Sequence, residues 1–241
     1  MDEIMTTAPQ APLLSIRSLV KNYGSKRALD GLSINIGRGG IIGLLGPNGC
    51  GKTTLIKLIC GLLTLNSGEI LINGKAPSPE TAAMISYLPD KTALPMSRST
   101  RFLVDYYSDF FADFDRMKAY EMLERLKINP KEQVRALSKG TQEKVQLILT
   151  MSRRAELYIL DEPLGGVDPA ARDYILETIL KSYGENSSIL ISTHLVSDVQ
   201  SVLDDVIFVD SGKVVLCASV SALKEEHGKT VDELFREVYR C

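Results

Sequence analysis

Residues 46–53 read GPNGCGKT, directly after the apolar run GIIGLL at 40–45 and running into TTLIKLICGLL at 53–63. The octet matches G-x-x-x-x-G-K-[ST], and a buried strand before it with a helix after it is the context that this pattern requires. Such a loop turns backbone N–H groups inward around phosphate oxygens, which glycine permits. Gly46, Pro47, Asn48, Gly49, Cys50 and Gly51 form the turn. Lys52 is placed to bridge the outer phosphates and Thr53 to offer a hydroxyl to Mg²⁺, and Thr54 beside it is also read as nucleotide-binding. A nucleoside triphosphate is the ligand this chemistry implies.

Working outward, 241 residues make one large domain or two small ones. Hydrophobic residues are 44% and charged residues 24%, with 28 basic against 30 acidic side chains for a net charge of −2. That balance is ordinary for a folded chain and leaves no basic field for nucleic acid. No apolar run approaches the ~18 residues of a membrane span, and residues 1–12 have no basic start followed by an apolar stretch, so a cytoplasmic location and a flexible tail over 1–12 are expected. Cys50, Cys60, Cys217 and Cys241 form no CxxC pair, and His194 and His227 do not complete a metal cage with them. The cysteines are read as reduced thiols. Cys50, near a helix N-terminus, is either a reactive thiol of lowered pKa or a buried inert one.

Short mixed stretches at 14–20, 32–36 and 69–72 read as strands of a β-rich opening. By contrast 40–45, 157–160 (LYIL) and 189–192 (ILIS) are apolar throughout, as strands buried on both faces of a parallel sheet are. Between them, 91–136 reads as a mostly helical insert in which Met117, Tyr120, Leu123 and Leu126 recur at helical spacing. Its aromatic run Tyr106, Tyr107, Phe110, Phe111 and Phe114 is read as core, with a docking surface as the alternative. A hairpin around Ser211-Gly212 and a last helix with Val231, Leu234, Phe235 and Val238 close the chain at about 206–241.

A second site follows the strand LYIL, which ends in Asp161 and Glu162. One carboxylate there suits the Mg²⁺ shell and its neighbour suits polarising a water for attack on the γ-phosphate. Further pieces are LSKGT at 137–141, LGGVD at 164–168 and STHL at 192–195. In this order the sequence resembles the ATP-binding cassette family, from about Leu13 onward, and is similar to bacterial exporter ATPases of the ABC-2 type.

The resemblance implies an α/β fold, a P-loop core sheet with flanking helices, an antiparallel β subdomain and a helical insert, as one ATPase domain over 13–241. It implies that Tyr23 stacks on adenine, that Glu162 and His194 are catalytic, and that Thr53, Asp90 and Asp161 lie on the metal side. Ser138, Lys139, Gly140 and Thr141 would act on the ATP of a partner subunit, and Asp168 would cross the dimer interface. Two positions depart from the family pattern. Lys139 and Thr141 stand where Gly and Gln are usual, and Asp90, in YLPD, stands where a metal-contacting Gln is typical. A carboxylate still offers oxygen to Mg²⁺ but donates no amide hydrogen bond, so altered coupling rather than lost catalysis is expected.

The expected partners are a second ATP-binding subunit and integral membrane permease subunits on separate chains, with no nucleic acid. The alternatives are a soluble cassette acting as a switch in translation or repair, a small-importer ATPase, and a subunit that binds ATP without hydrolysing it.

Overall fold

The computed structural model describes residues 11–165, 169–182, 184 and 186–239. The chain opens with β1 (Leu14–Tyr23) and β2 (Lys26–Ile36), an antiparallel pair in register from Leu14↔Ile36. In β2, Leu32, Ile34 and Ile36 are buried while Ser33 and Asn35 face water, the period-two signature of a sheet with one wet face. β3 (Gly40–Leu45) leads into the phosphate loop and α1 (Lys52–Ile59). β4 (Ser67–Ile72) returns to the free edge of β1, completing a three-stranded sheet in the order β2-β1-β4.

A short α2 (Pro79–Ala83), capped by Ser78, precedes β5 (Ile85–Leu88). Three helices follow: α3 (Thr100–Phe110), α4 (Arg116–Arg125) and α5 (Lys139–Met151). Their caps are legible in sequence, since Ser99, Asp115 and Ser138 each accept a backbone N–H of the first turn. Then come β6 (Leu157–Asp161), α6 (Pro169–Ser182), β7 (Ser188–Thr193), α7 (Val196–Val199), the hairpin β8 (Asp205–Asp210) and β9 (Lys213–Ser219), α8 (Val220–His227) and α9 (Val231–Tyr239). Among the described residues no helix is long and apolar enough to cross a membrane.

The central sheet runs β5-β6-β7-β3-β8-β9, parallel except for β9. Its middle strands are buried on both faces, and alternate side chains feed two separate cores. Ile41, Leu45, Tyr158, Leu160, Ile189 and Ile191 join the core beneath the helical layer. Ile42, Leu44, Ile159 and Leu190 join the other, shared with α1 and the antiparallel sheet. Continuous apolar runs are therefore required, because neither face meets water. The parallel register, with Leu45 beside Thr193 and Asp161 beside Ser192, brings three loops together at the carboxyl edge. Ligands of open α/β sheets bind at that edge.

Helix in the insert begins only at Thr100, and its layer runs past residue 136 because α5 packs with α3 and α4. The buried face of α4 carries Ala119, Met122 and Leu123, so Met117, expected on it, is turned out to solvent at 75% exposure. The aromatic run also divides. Tyr107 and Phe114 pack against the core, whereas Tyr106 and Phe110 are exposed, and Tyr106 stacks on Phe102 on one side and on Phe110 on the other, along one side of α3. Helical spacing explains the split, since positions four apart share a face. The hairpin matches expectation, while α8 was not anticipated, although Ser219 before it and Gly228 after it are cap signals.

At the foot of α5, buried Arg153 ties three pieces together. Its Nη1 donates to Ile85 O at 2.6 Å, its Nε and Nη2 reach Asp113 at 3.1 Å each, and its guanidinium lies 4.0 Å from the Phe111 ring centre. The helical layer is bolted there to the start of β5.

Candidate functional site at the carboxyl edge of the sheet

The phosphate loop takes its shape from its own backbone and close neighbours. Gly51 has φ 116°, and a Cβ on it would stand 2.7 Å from Ala28 O. A Cβ on Gly46 would meet Val209 O at 2.3 Å. Neither position admits a side chain without a shift of backbone. Lys52 is buried, and its Nζ donates to Gly46 O at 2.7 Å and to Pro47 O at 3.1 Å, curling the loop around the ammonium group. The β8–β9 turn braces the loop from outside, with Gly212 N donating to Cys50 O at 2.9 Å.

A cavity of about 460 Å³ opens above the loop, and Tyr23, Thr53, Asp90, Glu162 and His194 all line it. Tyr23 is 48% exposed at the mouth, with Lys21 Nζ 5.4 Å from its ring centre. Lys26 and Ala28, not singled out from the sequence, line the cavity too. The arrangement brings one aromatic face, two lysines (Lys26 and Lys52) and two carboxylates (Asp90 and Glu162) around a single space.

Asp161, the last residue of β6, is buried, and neither carboxylate oxygen has a partner of good hydrogen-bond geometry among the described residues. Burial pushes its carboxyl above the ordinary range; the nearby hydroxyls of Ser192 and Thr53 pull it back, and the charges of Asp90 and Glu162 raise it further. An ionised carboxylate so buried lacks compensation from the protein alone. The Thr53 hydroxyl lies beside Asp161, and Asp90 lines both the cavity above the loop, with Thr53, and the small recess that Asp161 lines, a hard-oxygen set that fits Mg²⁺.

Glu162 sits one residue beyond the strand with φ 52°, a left-handed conformation unusual for a residue with a side chain. Its carboxylate is held on both oxygens. His194 Nδ1 lies 2.9 Å from Oε1, and Thr193 Oγ1 donates to Oε2 at 3.0 Å. Thr193 escaped the sequence reading, because a hydroxyl beside a histidine carries no distinctive pattern of its own.

The segment 138–141 lies apart from this cavity, at the start of α5. Ser138 Oγ accepts from Thr141 N at 3.3 Å and lies 2.8 Å from Thr141 Oγ1, while Lys139 is exposed and pairs loosely with Glu143 at 3.9 Å. Asp168 falls outside the described residues. Cys50 departs from the reactive reading: it is buried, and burial pushes its thiol up, with Lys52 only partly offsetting this. The desolvation of the thiolate outweighs the helix end and the lysine.

Sheet, loop and acidic strand end together define a P-loop nucleotide-binding protein. The profile of the ABC transporter family matches residues 29–165. The chain is 32% identical over 222 residues to the ABC transporter ATP-binding protein YhaQ of Bacillus subtilis (strain 168), covering 90% of this chain and 74% of the relative. It is 30% identical to the daunorubicin resistance ATP-binding protein DrrA3 of Streptomyces coeruleorubidus, covering 93% of this chain and 74% of that one. Among solved structures, an ATP-binding subunit of an ABC transporter superposes with a TM-score of 0.84 at 27% identity, covering 94% of this chain and 99% of that one. This chain belongs to the ABC transporter family and carries its ATP-binding domain.

Proposed function

We propose that residues 13–241 act as a single ATPase domain that drives an exporter from the cytoplasmic face of the membrane. The observation that carries hydrolysis is the carboxylate of Glu162, held by His194 and Thr193 at the rim of the cavity that contains Lys52. A carboxylate fixed on both oxygens is oriented to take a proton from a water aimed at the γ-phosphate. Lys52 bridges the outer phosphates, and the loop amides bind their oxygens. Tyr23 offers its ring to adenine. Asp161, Thr53 and Asp90 would hold Mg²⁺, which when bound neutralises phosphate charge.

His194 orients Glu162 and contacts the γ-phosphate. Because Ser138, Lys139, Gly140 and Thr141 stand away from the chain's own cavity, they are assigned to the nucleotide of a second ATP-binding subunit, with Asp168 between the two subunits. Binding of two ATP closes such a dimer, and hydrolysis reopens it. Permease subunits on separate chains would carry the membrane path, and the resistance function named for DrrA3 supports the exporter reading over import.

Glu162→Gln is expected to keep ATP bound, to lower kcat by about 10²- to 10⁴-fold, and to accumulate as an ATP-bound dimer in light scattering. Hydrolysis at the wild-type rate would remove Glu162 from the role of base. Affinity capture of that variant from detergent-solubilised membranes with MgATP should bring down a multi-span chain; ribosomal or repair proteins in its place would overturn the exporter reading.

A further inference from the structure

The buried face of α5 is apolar along Val145, Leu147, Ile148, Leu149 and Met151, with Gln146 among them at 5% exposure. A primary amide in such a place is costly unless its hydrogen bonds are made. Here they are. Gln146 Oε1 accepts from Ala93 N at 3.0 Å, and Nε2 donates to Pro89 O at 3.4 Å, an orientation assigned from these partners. The two backbone groups flank Asp90 on a stretch that has neither helix nor strand pairing of its own.

One turn earlier, Gln142 Nε2 donates to Val134 O at 3.1 Å and to Leu137 O at 3.0 Å, holding the approach to Ser138. One turn later, Ser86 Oγ of β5 donates to Thr150 O at 2.8 Å. The helix that begins at Ser138 is thus laced to β5 and to the loop that leaves it. Within that lacing Gln146 contributes the bonds to residues 89 and 93.

We propose that Gln146 is a positioning residue: it clamps residues 89–93 onto α5 and thereby sets where Asp90 stands at the metal side of the nucleotide site. This rests on the reading of Asp90 given above. Gln146 touches neither nucleotide nor metal in this account, so its effect must pass through the loop. Because α5 starts at Ser138, the loop is also tied to the helix that presents residues 138–141 to a partner.

The full-length chain carrying Gln146→Met, which keeps the length and loses both hydrogen bonds, tests this by two measurements that need no turnover. Hydrogen exchange of the 89–95 peptide should speed up by roughly 2- to 10-fold, the worth of one lost hydrogen bond, with the 46–54 peptide unchanged. In titrations of a fluorescent ATP analogue, the MgCl₂ concentration at half-maximal binding should rise by about 3-fold or more, a similar loss of one contact, with binding in EDTA unchanged. If Gln146→Met does not fold, Ala93→Pro removes the same bond from the loop side.

Unchanged exchange in Gln146→Met overturns the clamp. Faster exchange with an unmoved MgCl₂ midpoint overturns the positioning role, provided Asp90→Asn moves that midpoint. If Asp90→Asn leaves the midpoint unmoved, the metal-side reading of Asp90 fails and takes this inference with it, while Glu162→Gln still tests the ATPase reading separately.

Discussion

The phosphate loop and the loop bearing Asp90 face the same cavity but are held by different means. Residues 46–53 are shaped largely by their own glycine conformations and the curled Lys52, with Ala28, Val209 and Gly212 packed closely around them. Residues 89–93 have no comparable device and depend on Gln146, more than fifty positions away in sequence. A shape built mostly into the loop itself is less sensitive to changes elsewhere than one supplied by the side chain of a distant helix. The first suits a task common to every phosphate-binding loop. The second leaves room for the metal side to be tuned through α5.

Breaking the distant support at its base should produce the largest effect on the fold. Arg153→Met strands Asp113 and the Ile85 carbonyl and loosens the helical layer, so a loss of about 3 kcal/mol is expected. Thermal unfolding should drop by about 6–12 °C at 2–4 °C per kcal/mol. The local device is broken by Gly51→Ala, whose Cβ would crowd Ala28 O in a positive-φ backbone. Strain of about 1–3 kcal/mol should weaken ATP binding about 5- to 150-fold, measured by titration with the fluorescent analogue, with little change in exchange at 89–95.

Asp161→Asn sharpens the comparison from the side of charge. Its carboxyl is pushed up by burial, so the folded state binds that proton more tightly than the unfolded chain does. Stability associated with the protonated form is present at low pH and lost as pH rises through the raised pKa. Near neutral pH the nucleotide-free fold carries a poorly compensated charge. Removing that charge should raise the melting temperature by about 2–4 °C if the gain is near 1 kcal/mol, while hydrolysis is lost. A lower melting temperature would contradict this account of the Asp161 environment.

The smallest expected effect concerns the thiols. Cys217 is exposed, Cys50 is buried in the phosphate loop, and burial pushes Cys60 up to about 12. Iodoacetamide at pH 8 followed by peptide mass spectrometry should label Cys217 well before Cys50 or Cys60. Early labelling of Cys50 would show that the phosphate loop opens far more readily than its bracing implies.

Much of this site is legible in the residues themselves. The octet at 46–53, the strand ending in Asp161 and Glu162, and His194 after another apolar run are each contiguous, and parallel strands place such ends side by side. The partners of Glu162 and Asp90 are less legible. Thr193 and Gln146 are common residue types whose meaning comes from what they touch, and neither contact lies at a helical or strand spacing. The same holds for the aromatic run of α3, where composition indicated a core but helix phase turned Phe102, Tyr106 and Phe110 outward.

By itself the amino-acid sequence determined the phosphate loop, the acidic strand end, the family and the layered α/β architecture, because these depend on local conformation and on the hydrophobic period of single elements. The tertiary structure alone decided which side of α3 faces solvent, that the Cys50 thiol is held up rather than down, and which side chains hold Glu162 and the loop of Asp90. Those outcomes depend on desolvation and on contacts between distant segments, neither of which leaves a periodic trace along the chain.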